Sequence, residues 1–262
     1  MPRQKPYWYY RLKFSWPGRV FTRLRYPSLQ QQFVQAKYYY SAVLPGRGGL
    51  VFDIGANVGD LSAVFLDMDY LVVACEPDLV NFRMLQARFS GNKRITLLQK
   101  AVAQHRGEGL VYRSAAHGGS LSTLSDKRRQ QLNGTKDEEG VIRFGNGNQV
   151  ALISLDDMIA AYGLPVYIKI DVEGFEQQVL SGLSQPVPLL SFEANLPEFL
   201  DETMACLRLL DAVDTQAVFN ASTDDRGLVF DQFQSYELFL AWFRQQDFRY
   251  AEIFCSMTKC GK

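Results

Sequence analysis

The chain has 262 residues, 28 basic against 28 acidic, and 47% hydrophobic residues including 13% aromatics. That is enough apolar material for a large core, and it excludes a disordered chain, a collagen-like repeat or a small disulfide scaffold. No apolar run approaches the roughly 20 residues of a membrane span, and the first residues carry no apolar stretch of signal-peptide type.

The balanced charge conceals an asymmetry. Nine of the basic residues (Arg3, Lys5, Arg11, Lys13, Arg19, Arg23, Arg25, Lys37 and Arg47) lie in the first 52 positions, where there is no acidic residue. Aromatics such as Tyr7, Trp8, Phe14, Trp16 and Tyr38 to Tyr40 crowd the same stretch. Residues 1–47 therefore read as a basic aromatic arm or helical cap. Its aromatics pack on the main domain while its cationic heads stay wet, or it touches an anionic substrate or a membrane surface. No stretch resembles a nucleic-acid-binding motif, so no nucleic-acid partner is expected. Cys75, Cys206, Cys255 and Cys260 form no CxxC pair. They read as buried thiols of a reducing compartment, and the expected location is the cytoplasm, with possible peripheral membrane contact through the arm.

From residue 48 onward the pattern alternates. Leu50 to Ile54 is a short apolar strand, followed by a helix with Leu61, Val64, Phe65 and Met68 on one face. Leu71 to Cys75 is a second strand. Asp78 caps a helix carrying Phe82, Leu85 and Phe89, which stops at Ser90-Gly91-Asn92, and Ile95 to Leu98 is a third strand. Residues 103–150 break the rhythm: Leu110 to Tyr112 reads as a strand, and 113–149 as a loop-rich, partly mobile excursion over the active-site edge. A helix over Leu155 to Tyr162 closes at Gly163 and Pro165. A strand over 166–170, a helix over 173–183, a strand over 189–192, a helix over 201–212, a strand at 217–219, a helix near 236–246 and a strand near 249–256 complete the chain. Such alternation predicts an α/β fold around a parallel sheet with right-handed crossovers.

The chemistry-bearing stretch is Asp53-Ile54-Gly55-Ala56-Asn57-Val58-Gly59-Asp60, between the first strand and its helix. Gly55 permits a sharp turn with close approach of the backbone to a ligand, and Gly59 a tight helix start. A dinucleotide fingerprint would need a glycine between these two, and an acid ahead of the turn repels phosphate while it suits an amine. Glu76, 21 residues after Gly55, ends the second strand, where an acid accepts both hydroxyls of an unphosphorylated ribose. An amine near Asp53 and a ribose near Glu76 describe S-adenosylmethionine (SAM) better than NAD.

The sequence resembles the FkbM family of SAM-dependent methyltransferases over about 50–220. The blocks that carry the resemblance are VFDIGANVGD (51–60), CEPDLVNFRMLQ (75–86), Ala101-Val102, Ser120-Leu121, LISLDDMI (152–159) and YIKIDVEGFEQQVLSGL (167–183). It implies a Rossmann-like, doubly wound, mostly parallel seven-stranded sheet with an antiparallel last strand, in a methyltransferase domain spanning 48–262. It also implies O-methylation of a hydroxyl on a small-molecule acceptor, a sugar or a glycosylated natural product. By position, Asp53, Gly55, Asn57 and Gly59 would hold the methionine end of SAM, Glu76 its ribose, and Pro77 and Ala101 the adenine border, with Ser120 also beside the cofactor. Asp171 would sit beside the sulfonium methyl, with Glu173 and Gly174 opening the next helix. Asp171, Glu173 or His117 are the candidate bases for a neutral alcohol.

Two alternatives stay open. Asp171, Glu193 and Asn195 could form an all-oxygen Mg²⁺ site of a phenol-methylating enzyme, although no metal is expected. The chain could also be an inactive cofactor-binding scaffold. Oligomeric state is not legible.

Overall fold

The structure, a computed structural model, describes residues 27–44, 46, 48–114, 121–137, 140–224 and 227–257. Most of the basic arm, and His117 and Ser120, therefore lie outside the described residues.

The central sheet begins with β1 (Leu50–Ile54), β2 (Leu71–Cys75) and β3 (Ile95–Leu98), linked by α2 (Asp60–Asp67) and α3 (Leu79–Arg88). It continues through β10 (Tyr167–Ile170), β11 (Leu189–Asn195), β12 (Val218–Ser222) and β14 (Tyr250–Ser256). Helices α5 (Leu155–Tyr162), α6 (Glu176–Leu180), α7 (Leu200–Val213) and α8 (Tyr236–Phe243) lie between these strands. With the edge strand β13 (Gln234–Ser235), the strand order is β13-β12-β14-β11-β10-β1-β2-β3, and β14 runs antiparallel between β11 and β12. This is the doubly wound layout expected from the sequence, with the antiparallel strand last, extended by the two-residue edge strand β13.

Alternation along each strand divides the core into two layers. Phe52, Ile54, Ile168, Ile170 and Phe192 face α5 to α8, while Val51, Tyr167, Leu189 and Phe254 face α2, α3 and the N-terminal helix α1 (Pro27–Val43). That second face also carries a polar seam. Asp53 pairs with Lys169 in the β1–β10 register, and Glu193 with Glu252 in the β11–β14 register.

Helix α1 is held on this face by aromatic packing. The ring of Tyr40 lies 5.2 Å from that of Phe65, and Tyr39 lies 6.3 Å from Phe254, both edge-on. Both tyrosines are buried. Among the described residues no helix is long and apolar enough to cross a membrane. Cys75, Cys206 and Cys255 are buried free thiols, and Cys260 lies outside the described residues.

The excursion expected to be loop-rich is more ordered than its composition suggests. Strands β4 (Ala101–Val102), β5 (Gly107–Arg113), β6 (Ser122–Thr123) and β9 (Asn148–Ile153) form a second sheet in the order β4-β9-β5-β6. Between them lie α4 (Asp126–Leu132) and a small ribbon of β7 (Lys136–Asp137) and β8 (Gly140–Val141). Composition misleads here because Gly109 and Gly147 make room for neighbouring side chains. A Cβ on Gly147 would stand 2.9 Å from the Tyr112 ring, and one on Gly109 3.1 Å from Leu152. Helix α6 is shorter than the 173–183 helix read from the sequence. Glu173 and Gly174 both have positive φ, 53° and 87°, and so form a turn ahead of it.

Candidate active site

The β1–α2 loop is shaped by two glycines. Gly55 has φ 83°, and a Cβ on it would overlap the carbonyl oxygen of Asp171 on the neighbouring strand end. The N–H groups of Gly55 and Ala56 both donate to the Cys75 carbonyl, at 3.0 and 2.9 Å. Gly59, with φ 82°, lets α2 start against α3: a Cβ there would stand 2.5 Å from the Phe89 ring. Asp53 lies beneath this loop rather than in the cleft. It is 2% exposed, accepts a short hydrogen bond from the Ser62 hydroxyl, and burial pushes its carboxyl up to about 6.

Above the loop a cleft is lined by Gly55, Asn57, Glu76, Pro77, Ala101, Val102, Ser122, Asp171, Glu173 and Phe175, among others. Of the residues expected at a cofactor, Gly55, Asn57, Glu76, Pro77 and Ala101 meet in this cleft, and Asp171 and Glu173 join them. Asp53 and Gly59 support it from below, while Ser120 and His117 fall outside the described residues.

Glu76 is held rigidly. Its two oxygens accept from the Asn57 and Asp78 backbone N–H groups, each at 2.8 Å. Burial nevertheless outweighs these bonds and lifts its carboxyl from 4.5 to about 8. Glu173 accepts from Arg128 Nε and Nη2 at 3.2 and 2.9 Å, and its carbonyl accepts from the Thr123 hydroxyl at 2.8 Å. Arg128 lies over the Phe199 ring, and a Cβ on Gly174 would meet that ring at 2.7 Å. The second sheet thus clamps the loop that follows β10. Glu176, below this turn, accepts the Gly174 N–H at 3.1 Å, and burial pushes its carboxyl up to about 7.

A second cavity, of about 280 Å³, opens on the α1 side of the sheet. Its lining mixes polar groups with aromatic and aliphatic surface: Gln32, Gln35, Tyr39, Tyr40, Lys169, Asp171, Glu193, Asp224, Tyr250 and Glu252, with Ala36 and Leu61. Asp171 belongs to the walls of both cavities. Burial raises its carboxyl above the usual carboxylate range, the nearby Glu193 adds to the rise, and Lys169 opposes it. Lys169 itself is buried with its ammonium 3.3 Å from both Glu193 and Glu252. These carboxylates hold it charged, with its pKa raised above the ordinary lysine value although burial acts the other way. Glu252 further accepts from Ser191 at 2.6 Å and from the Tyr39 and Tyr40 hydroxyls at 3.2 Å each.

The sequence profile of the methyltransferase FkbM domain matches residues 53–250. The chain belongs to the FkbM methyltransferase family. No curated protein matches it. Among solved structures it is similar to a TehB-like SAM-dependent methyltransferase from Corynebacterium glutamicum, at 10% identity and TM-score 0.43, covering 86% of this chain and 88% of that one. It is also similar to precorrin-6y C5,15-methyltransferase from Geobacter metallireducens, at 10% identity and TM-score 0.40, with 88% and 89% covered. A third is the ribosomal protein L11 methylase of Lactobacillus delbrueckii subsp. bulgaricus, at 9% identity and TM-score 0.42, with 86% and 77% covered.

The cleft of this FkbM protein fits SAM by its donor set. Three carboxyl groups (Glu76, Asp171 and Glu173) line it, and no Lys or Arg does among the described residues. That offers hydrogen-bond acceptors to an ammonium and a free ribose, and no cation to a pyrophosphate. Glu76 would accept from ribose hydroxyls, and Pro77, Ala101 and Val102 would border the adenine. The oxygen set considered for Mg²⁺ is differently engaged. Glu193 receives the Lys169 ammonium and, at 3.2 Å, the Tyr250 hydroxyl, and Asn195 lines neither cavity. Among the described residues no group of three or more His, Cys, Asp or Glu is placed to hold a metal ion.

Sequence reading did not find Arg128, Tyr250 or Glu252. Arg128 reaches Glu173 across 45 positions, a pairing no local pattern encodes. An acid at 252 inside the apolar strand Tyr250–Ser256 was the available signal for a buried partner of Lys169.

Two expectations arise here. Replacing Arg128 with Ala should weaken binding of S-adenosylhomocysteine (SAH) about fivefold, because Glu173 loses a charge-assisted pair worth about 1 kcal/mol at this partly buried site. Titration calorimetry measures it, and an unchanged affinity would mean the clamp has no bearing on the cofactor. Glu76→Gln should shift stability in a pH-dependent way. A carboxyl with a folded pKa near 8 and an unfolded value near 4.5 binds more protons folded than unfolded between those values, so it costs stability increasingly as pH rises. The Tm of the variant relative to wild type should therefore climb from pH 5 to pH 8 and level off above it. A flat difference across that window would contradict the burial argument.

Proposed function

We propose that this FkbM methyltransferase transfers the methyl group of SAM to a hydroxyl of a small polyhydroxylated acceptor, a sugar or a glycosylated natural product. The observation that supports it is the position of Asp171, whose side is shared by the cofactor cleft and the second cavity. Bound SAM supplies a methyl group on a positively charged sulfur, which departs as a neutral thioether. The chain's own contribution is largely positioning: Glu76 and the Gly55 loop fix the donor side, and the second cavity fixes the acceptor oxygen in line with the methyl carbon. Asp171 accepts the hydroxyl proton as the new carbon–oxygen bond forms, and a carboxyl raised by burial is a stronger base for that task. Glu173, tied to Arg128, holds the wall of the cleft rather than moving a proton.

The test is titration calorimetry of the full chain with SAM and SAH beside Glu76→Ala, followed by an acceptor screen for the mass gain of one methyl group. Expected are micromolar binding that the variant loses by more than tenfold, and an alkali-stable methyl ether in the product. Absence of SAH binding to the folded wild type, or a methyl group found on nitrogen or carbon, would overturn the reading.

A further inference from the structure

Helix α1 presents one stripe to the second cavity. Gln32, Gln35, Ala36 and Tyr39 follow the i, i+3, i+4, i+7 spacing that brings residues onto one helical face, and all four line it. Tyr39 and Tyr40 anchor the inner end of the stripe on Glu252, which Lys169 and Ser191 also hold. Gln32 and Gln35 stand at the outer end, exposed at the mouth, and the small side chain of Ala36 leaves room beside them.

The chemistry of the walls narrows the occupant. A carboxylate only accepts hydrogen bonds, whereas a glutamine amide both donates and accepts, so the two together read the direction of each hydroxyl on a ring. An aromatic acceptor would strip water from the carboxylates and glutamines without replacing its hydrogen bonds. Charge narrows it further. Among the described lining residues Lys169 is the one cation, already shared by two carboxylates, against the acids Glu193, Asp224 and Glu252. A phosphorylated sugar or a nucleotide sugar would bring its negative charge into that field.

We propose that α1 is the acceptor-selecting wall of this enzyme, with Gln32 and Gln35 as specificity-determining residues for a glycosyl unit that carries no phosphate. The proposal rests on the O-methyltransferase reading above and adds to it which face of the chain chooses the acceptor. Tyr39 and Tyr40 set the position of the wall, and the two glutamines make the contacts.

Saturation-transfer NMR on the full chain, loaded with SAH, tests it. The probes are methyl glycosides of common hexoses and deoxyhexoses, the matching sugar 1-phosphates, and simple phenols. At least one glycoside should give transfer, and the phosphates and phenols should not. The double variant Gln32→Ala/Gln35→Ala should weaken that glycoside about tenfold or more, through the loss of two hydrogen bonds. Gln31→Ala, on the same helix but off the cavity lining, should leave it unchanged. Affinity for SAH should stay within twofold in all variants. Transfer undiminished in the double variant overturns the role of α1, as does an equal loss in Gln31→Ala. Binding of phosphates or phenols in preference to glycosides, or of no glycoside at all, overturns the acceptor class. If wild type fails to bind SAH, it is the methyltransferase reading that fails, so the two failures are distinguishable.

Discussion

Asp171→Asn is expected to lower kcat for methyl transfer by about 10²- to 10⁴-fold, the usual contribution of a positioned general base, while SAH still binds. Asparagine keeps the shape of the wall between the two cavities and removes the proton acceptor. The wild-type rate should rise with pH through the deprotonation of Asp171. Because burial and Glu193 lift that carboxyl, the rising limb should lie above the ordinary carboxylate range. In Asp171→Asn the residual rate should lose that limb. The variant should also be at least as heat-stable as wild type, since a neutral amide relieves the crowding of acids around Glu173, Glu176 and Glu193. A variant that keeps wild-type kcat and its pH limb would remove Asp171 from the chemistry and leave the proton to another group.

Much of this site was legible because local rules and sheet geometry agree. The β1–α2 loop announces itself by an acid, two glycines and a following helical stripe, and the structure puts it at the C-terminal strand ends, the crevice where doubly wound sheets bind ligands. The reason for one glycine differs from the sequence argument. Gly55 was expected to admit a ligand, whereas what leaves no room for a Cβ is the Asp171 carbonyl of the adjacent strand. Asp53 illustrates the same limit. Its type suggested an amine partner, but strand alternation places it with Val51 on the α1–α2 face, where Ser62 meets it. Alternation was equally informative at Lys169, flanked by Ile168 and Ile170 and therefore turned from the apolar layer to the polar seam. What stayed illegible is what depends on tertiary pairing across long separations. The second sheet hides in a Gly- and Asn-rich stretch because two of its glycines, Gly109 and Gly147, serve close packing, while others such as Gly134 do mark turns. The cavity wall on α1 meets a strand more than 200 residues further on, through Tyr39 and Glu252.

Lys169→Met should be the most destabilising single change in the polar seam, by about 3–5 kcal/mol, the cost of removing one partner from a buried ion pair. Methionine fills similar volume, so little of that loss is a cavity. What remains is Glu252, 1% exposed, and the less buried Glu193, with no cation between them. The Tyr39, Tyr40 and Ser191 hydroxyls still donate to Glu252, but neutral hydrogen bonds do not replace a charge in that setting. The deficit should reach beyond stability. Glu252 is the anchor of α1, so loosening it should raise the KM for the acceptor more than the Kd for SAH, because the cleft proposed for SAH shares only Asp171 with the cavity on the α1 side. Chemical denaturation reads the first effect, and initial-rate kinetics beside calorimetry with SAH read the second. Adding Glu252→Gln to Lys169→Met removes the stranded charge and keeps an oxygen for the tyrosines, so the double variant should be more stable than Lys169→Met alone. A double variant that is less stable, with losses that simply add, would mean the two residues are not coupled, and α1 would then be held by its aromatic packing on Phe65 and Phe254 alone.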